Sequence, residues 1–405
     1  MPKLFSQIDG VYTGATYCGI QADAANLPAD ESDKDFDLGY IYVPDAYSSA
    51  GVFTQHLIPG SAVTHTRAVI QNETMKAVMV NAGNANVLTG AEGAANTQSM
   101  ASRAAQKLGL RPEEVGVAST GVIGKLLNID AVLSGVDRVL EDPKQKDAAA
   151  FSHAILTTDL TVKTAWASHT DAKGKEWIVA GATKGSGMIS PDMATTLGFL
   201  VTNIKLDSDA HQRILSEAVQ DSYNMMSVDT DTSTSDMILS MSTGALDPAD
   251  SEVSDEIIAG LFNQVCLDLA IQIADDGEGA SHRIEVAVTE APTKDIARLV
   301  AKSVVDSPLV KTAIAGNDPN WGRILMAIGK VKQAGLDVSK VSVTVQGVPL
   351  VKDLMPLDFD LGDLGKRMAD FVVRIEISFG TGSQSATAYG CDLTHGYIKI
   401  NTKYN

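Results

Sequence analysis

The chain has 405 residues, 44% of them hydrophobic, which allows two or three domains and is enough to bury a sizeable core. Asp and Glu number 50 against 32 Lys and Arg, a formal net charge of −18, so a nucleic acid backbone or an anionic membrane would be repelled over most of the surface. Cys18, Cys266 and Cys391 are odd in number and far apart, which fits a reducing cytoplasm better than a disulfide framework or a metal cage. Neither the long uncharged stretch Ala46 to Thr66 nor the amino-terminal MPKLFSQIDG has the apolar continuity of a membrane span or a signal core.

In chain order, Lys76 to Val80 and Val115 to Ala118 read as short buried strands, each followed by a glycine-containing turn and a helix. The helix after Asn128 puts Ile129, Val132, Leu133, Val136, Val139 and Leu140 on one face, with Asn128 placed to cap it and Pro143 beyond its end. Thr161 to Ser168 and Trp177 to Ala182 flank the turn Asp171-Ala172-Lys173-Gly174 and read as a hairpin. Gly181 to Phe199 reads as a constrained loop. Ile258, Leu261, Phe262, Val265 and Leu269 form the apolar face of a long helix that stops before Gly277, with Cys266 at the edge of that face. Strict alternation then marks strands at Ile284 to Val288, Val341 to Val345 and Val373 to Phe379. Strands joined by hairpins as well as by helices predict an α/β chain of mixed α+β layers, with helices packed on mixed sheets. Pattern alone does not order the strands, and no Pro/Gly/Ser linker marks a domain boundary.

The loop GATKGSGMISPDMATTLGF lacks the upstream glycine of a phosphate-binding P-loop, so nucleotide binding is poorly supported. On composition, a tight turn between strands is as good a reading. Within it, KGSGMISPDMATT resembles the hallmark of the glutamate N-acetyltransferase family, also called ornithine acetyltransferases. The resemblance implies self-cleavage between Ala194 and Thr195, which frees Thr195 as the nucleophile. Chemistry agrees: a Thr hydroxyl needs a base, and a new α-amine titrating near 7.7 to 8.0 accepts a proton at neutral pH more readily than a Lys near 10.4. Asp192 and Thr196 stand where the family usually has Asn and Met.

Further motifs extend the resemblance from Ala50-Gly51-Val52-Phe53-Thr54 through Val80 to Asn86 and on to Asn401. Ser119-Thr120-Gly121-Val122-Ile123-Gly124 resembles the family's oxyanion-hole motif, which implies that role for Thr120 and Gly121; without the family it would read as a strand-to-helix turn. Thr157-Thr158-Asp159 implies a substrate contact at Thr158, and the glycine-rich loop implies another at Lys184, suited to a carboxylate although such a Lys is more often solvated. Asp276-Gly277-Glu278-Gly279-Ala280 implies that Glu278 binds the substrate's amino end; alone, it would read as a solvated helix-end loop. Tyr397 to Asn401 implies a contact at Asn401. The family's later hydroxyl residue would fall at position 406, so Asn405 stands as the nearest candidate.

Asp229 to Asp236 begins like a calcium loop but lacks the Gly at the sixth position and the Glu at the twelfth, and it is assigned a structural role. Asn317 to Arg323 matches another family signature and is assigned to packing or site support. Seven His residues show no i, i+4 pair and no His/Cys cluster, so no metal is expected; His282 is close enough in sequence to tune Glu278. The activity implied is acetyl transfer from N-acetylornithine to glutamate in arginine biosynthesis, with no cofactor and with acetyl-CoA left open as a second donor. The implied fragments, 1–194 and 195–405, would remain together as an α2β2 assembly. A Thr-nucleophile amidohydrolase or a non-catalytic binding protein are the competing readings.

Overall fold

The computed structural model describes residues 3–20, 36–190, 196–251, 253–333 and 336–402. The described residues form three sheets. The first has the order β1 (Tyr12–Thr16), β2 (Leu38–Tyr42), β4 (Ala77–Asn84) and β5 (Val115–Val122), antiparallel except for the parallel pair β4/β5. The second has the order β3 (Ser48–Phe53), β10 (Met237–Leu246), β8 (Leu197–Ile204), β7 (Glu176–Lys184) and β6 (Lys163–Thr170), antiparallel except for β8/β10.

These two sheets are the middle of a four-layer stack. Because side chains alternate across a strand, Ala180, Ala182, Phe199 and Val201 share one core with Ile41, Val78 and Val80 of the first sheet, while Val179 and Leu200 join a second core. That second core is closed by the helices Ser208–Gln220 and Asp255–Asp275. On the outer face of the first sheet, Tyr40, Met79 and Val117 pack against the helices Gly90–Leu108 and Ile129–Val139. Burial on both faces explains why β7 and β8 read as continuous apolar runs rather than as alternating ones.

The third sheet has the order β14 (Met355–Pro356), β13 (Val348–Lys352), β12 (Ser342–Val345), β15 (Val372–Ser378), β11 (Arg283–Ala291), β16 (Gln384–Cys391) and β9 (Met226–Ser227). Its alternating residues Ile284, Val286, Val288, Val373, Ile375 and Ile377 bury one face under the helices Lys294–Val305, Pro308–Ala315 and Trp321–Gly329.

The expected helix after Asn128 forms, and the Asn128 side chain accepts from the Ala131 amide. The expected hairpin forms as β6/β7, closed by the Gly174 amide on the Asp171 carbonyl, with Gly174 at φ +79°. Two local readings change. The glycine-rich loop is shorter than expected, because Gly181 to Lys184 belong to β7 and Leu197 to Phe199 open β8. Cys266 is wholly buried rather than at a face edge, since Asp255–Asp275 is covered on more than one side. That helix is long and apolar enough by composition to cross a membrane, yet its Phe262, Val265 and Leu269 are core side chains of the stack.

Candidate active site

The cavity lies where β5 and β7 end and β8 and β10 begin. Its volume is about 110 Å³, several times the ~10–15 Å³ a single water needs. Thr120, Gly121, Thr158, Lys184, Glu278 and Asn401, which sequence reasoning drew from five separate segments, all line it. Thr195, Ala194 and Asn405 lie outside the described residues.

Gly121 sits at φ +127°, and a Cβ there would meet the Gly83 carbonyl carbon at 2.2 Å, so the end of β5 accepts only glycine. Thr120 beside it is 8% exposed and its Oγ1 accepts from Lys184 Nζ at 3.4 Å. Lys184 is itself buried, not solvated, because it is the last residue of β7 and its side chain enters the cavity wall.

The loop after Lys184 is fixed by carboxylates that take its amides. Gly185 N donates to Asp159 Oδ1 at 2.6 Å, and Met188 N and Ile189 N donate to the two oxygens of Asp229 at 2.7 and 2.8 Å. Ser186 Oγ donates to the Asp276 carbonyl at 2.6 Å, and Glu278 N donates to the Ser186 carbonyl at 3.0 Å. A Cβ on Gly187 would lie 2.3 Å from the Glu278 carboxyl carbon, so this glycine lets the loop and the acid touch. The structural role expected of Asp229 is therefore that of an anchor for two loop amides.

Glu278 is buried rather than solvated, and its Oε2 accepts from Asn401 Nδ2 at 2.7 Å. Asn401 is carried there by the helix His395–Asn401, which packs so closely on Gly279 that a Cβ would meet Tyr397 N at 2.3 Å. Partial burial, with Asp229 and then Glu278 beside it, holds the Tyr397 phenol well above its ordinary range. The His282 ring is held by Asp392: its Nδ1 lies 2.9 Å from Asp392 Oδ2, and Ser281 Oγ shares the same carboxylate at 2.5 Å.

Sequence reasoning missed two groups. Ser233, Thr234, Ser235 and Asp236, assigned to structure alone, also line the cavity. Burial pushes the Asp236 carboxyl well above the usual carboxylate range, and its Oδ2, like Thr234 Oγ1 and Ser235 Oγ, has no hydrogen-bond partner among the described residues. Their polarity in a stretch without strand or helix period was the available signal. The second group is an ion network under the cavity: Lys163 Nζ contacts Asp159 Oδ1 at 2.7 Å and Asp276 Oδ2 at 2.5 Å. Desolvation opposes ionisation of Asp159, but Lys163 and Lys184 outweigh it and hold the carboxyl well below the usual range. Asp159 and Asp276 stand inside two of the motifs already quoted, next to the residues that drew attention. Asn317 to Arg323 supports packing, not the site: Asn320 caps the helix Trp321–Gly329, whose Trp321 packs on the third-sheet core.

Among the described residues, no group of three or more His, Cys, Asp or Glu is arranged to hold a metal ion. A cation (Lys184), a carboxylate (Glu278), an amide (Asn401) and hydroxyls lining one cavity suit a small zwitterion. The ArgJ family model matches residues 21–405. The arginine biosynthesis bifunctional protein ArgJ of Oceanobacillus iheyensis is 39% identical over 98% of this chain and 94% of its own. Its counterpart in Streptococcus thermophilus (strain ATCC BAA-250 / LMG 18311) is 39% identical over 98% of this chain and 99% of its own. A solved structure of ornithine acetyltransferase complexed with ornithine, from Mycobacterium tuberculosis, is 31% identical, with a TM-score of 0.41 over 47% of this chain and 95% of that one. On the family match and the near full-length identity, the chain belongs to the ArgJ family, the acyltransferases of arginine biosynthesis.

Proposed function

We propose that the protein moves an acetyl group from N-acetylornithine to glutamate through an ester on Thr195, after the chain cuts itself between Ala194 and Thr195. The observation that carries this reading is the convergence of Thr120, Gly121, Thr158, Lys184, Glu278 and Asn401 on one cavity at the start of β8, two residues after Thr195.

In the first event the Thr195 hydroxyl attacks the Ala194 carbonyl, the C–N bond breaks, and water hydrolyses the resulting ester, leaving a free α-amine. That amine is the base for the second event. It takes the hydroxyl proton as Thr195 Oγ1 attacks the acetyl carbon, then gives it to the departing ornithine amine. Glutamate's amine attacks the ester next, and Thr195 recovers its proton. Thr120 and Gly121 stabilise the tetrahedral oxyanion in both halves. Lys184 opposes the amino acid's α-carboxylate, Glu278 opposes its amino end, and Asn401 and Thr158 complete the pocket, with Asn405 proposed as a further contact. The scheme requires no cofactor.

Cleavage would leave the halves joined, because the second sheet interleaves them: β8 and β10 follow Thr195, yet they lie between β7 and β3, which precede it. Two such pairs would make the α2β2 assembly. The cytoplasm supplies the substrates. Steady-state kinetics test the chemistry: double-reciprocal plots at several glutamate concentrations are expected to be parallel, since ornithine leaves before glutamate enters. Intersecting lines would argue against the ester, and ornithine release without N-acetylglutamate would identify an amidohydrolase. The same assay with acetyl-CoA decides whether it also donates.

A further inference from the structure

We propose that Lys163 is a positioning residue: by taking up the two carboxylates buried beneath the cavity, it keeps Lys184 available for the substrate's carboxylate. This rests on the assignment of Lys184 in the proposed function.

Lys163 opens β6 with a side chain that is fully buried, a position where an ammonium persists only if its protons are accepted. It has three protons and three acceptors: Asp159 Oδ1 at 2.7 Å, Asp276 Oδ2 at 2.5 Å and the Thr161 carbonyl at 3.1 Å. Those acceptors belong to different parts of the site. Asp159 follows Thr158 and also holds the amide of Gly185, next to Lys184; Asp276 precedes Glu278 by two residues and accepts from the amides of Leu160 and Thr161 at 3.0 and 3.2 Å. One ammonium thus sets the register of the three segments that carry Thr158, Lys184 and Glu278.

The consequence falls on Lys184. Its Nζ stops 4.0 Å from Asp159 Oδ2 and reaches Thr120 Oγ1 at 3.4 Å. Asp159 does not draw it closer because Lys163, Gly185 N and, at 3.1 Å, Thr157 N already occupy the carboxylate. The buried set holds two Lys and two Asp, formally neutral. Without Lys163 it holds one cation and two anions, and Lys184 becomes the nearest counter-charge for Asp159. Asp236 competes less, since burial pushes its carboxyl toward the neutral form. Glu278 is engaged by Asn401.

The test compares kcat/KM for N-acetylornithine and for its α-carboxamide in wild type, Lys163→Met and the charge-balanced Lys163→Met/Asp159→Asn. Wild type is expected to prefer the carboxylate by about tenfold to a hundredfold, the worth of a charge-assisted hydrogen bond. Lys163→Met should raise KM for the carboxylate substrate and reduce that preference to near unity, while the double variant restores it. A loss shared equally by both substrates, with the preference unchanged, would show a merely structural role and overturn the proposal. Should Lys163→Met not fold, a folded double variant without the preference would overturn it too. A wild type without the preference would instead refute the assignment of Lys184. A crystal structure of Lys163→Met supplies a readout free of activity: Lys184 Nζ should close to hydrogen-bond distance on Asp159 and leave Thr120, and a Lys184 that stays put contradicts the mechanism.

Discussion

Between Arg283 and Cys391, where most of the third sheet and its helices lie, the buried polar side chains among the described residues are Ser307 and Lys311. Between Thr157 and Glu278 they include Asp159, Lys163, Lys184, Asp236, Asp276 and Glu278. The first region is held by apolar burial, which is non-directional and tolerates exchange of similar volumes. The second contains charges whose desolvation must be offset by partners, and such pairs persist only where geometry satisfies them. Substitutions should therefore separate stability from chemistry differently in the two regions.

The largest effect is expected from Asp159→Ala, which strips Lys163 and the amide of Gly185 of a shared acceptor. Breaking a buried pair costs on the order of 3–5 kcal/mol, so urea unfolding should show a loss of that size, with transfer activity lost as well. A loss below about 1 kcal/mol would mean that the network is not structural. Ile375→Ala in the other region should cost about 2–5 kcal/mol through its cavity, but leave kcat/KM per folded molecule unchanged. A changed kcat/KM would break the separation. Thr120→Ala reverses the pattern. It should slow transfer about 100-fold to 1000-fold if the hydroxyl donates to the oxyanion, with little change in unfolding; near wild-type rates in the fully cleaved variant would leave the backbone amide as the donor.

The smallest effect concerns pH. His211 is fully buried between Ser48 Oγ and Ser240 Oγ, at 3.0 and 2.8 Å, and burial lowers its pKa from 6.5 to about 3. Between those values the unfolded chain binds a proton that the folded chain refuses, so stability is complete above about pH 6.5 and falls as pH drops toward 3. Thermal melts from pH 7 to pH 4 should show that decline, and His211→Asn should flatten part of it. An unchanged slope would remove His211 from the acid response.

The same contrast governs what the sequence reveals. Val373, Ile375 and Ile377 alternate because one face of β15 is buried, so this strand is legible without a structure. The order of the sheets is not, because register between distant strands leaves no periodic trace; that β8 lies between β7 and β10 is a tertiary fact. At the site, motif resemblance located Thr120, Lys184, Glu278 and Asn401, and the cavity unites them. Lys163 escaped because a lysine opening a strand looks solvated until its two carboxylates, distant in sequence, are brought to it. Asp236 escaped because its burial depends on β10 packing beside β8, which no local pattern announces.

The central claim is that the acetyl group rests on Thr195. Purified protein incubated briefly with N-acetylornithine alone, quenched in acid and weighed by mass spectrometry, tests it most directly. The account predicts two fragments, residues 1–194 and 195–405, with one added acetyl group on the second and on its amino-terminal Thr after peptide mapping. An uncut chain, or an acetyl group found on the first fragment, would contradict it.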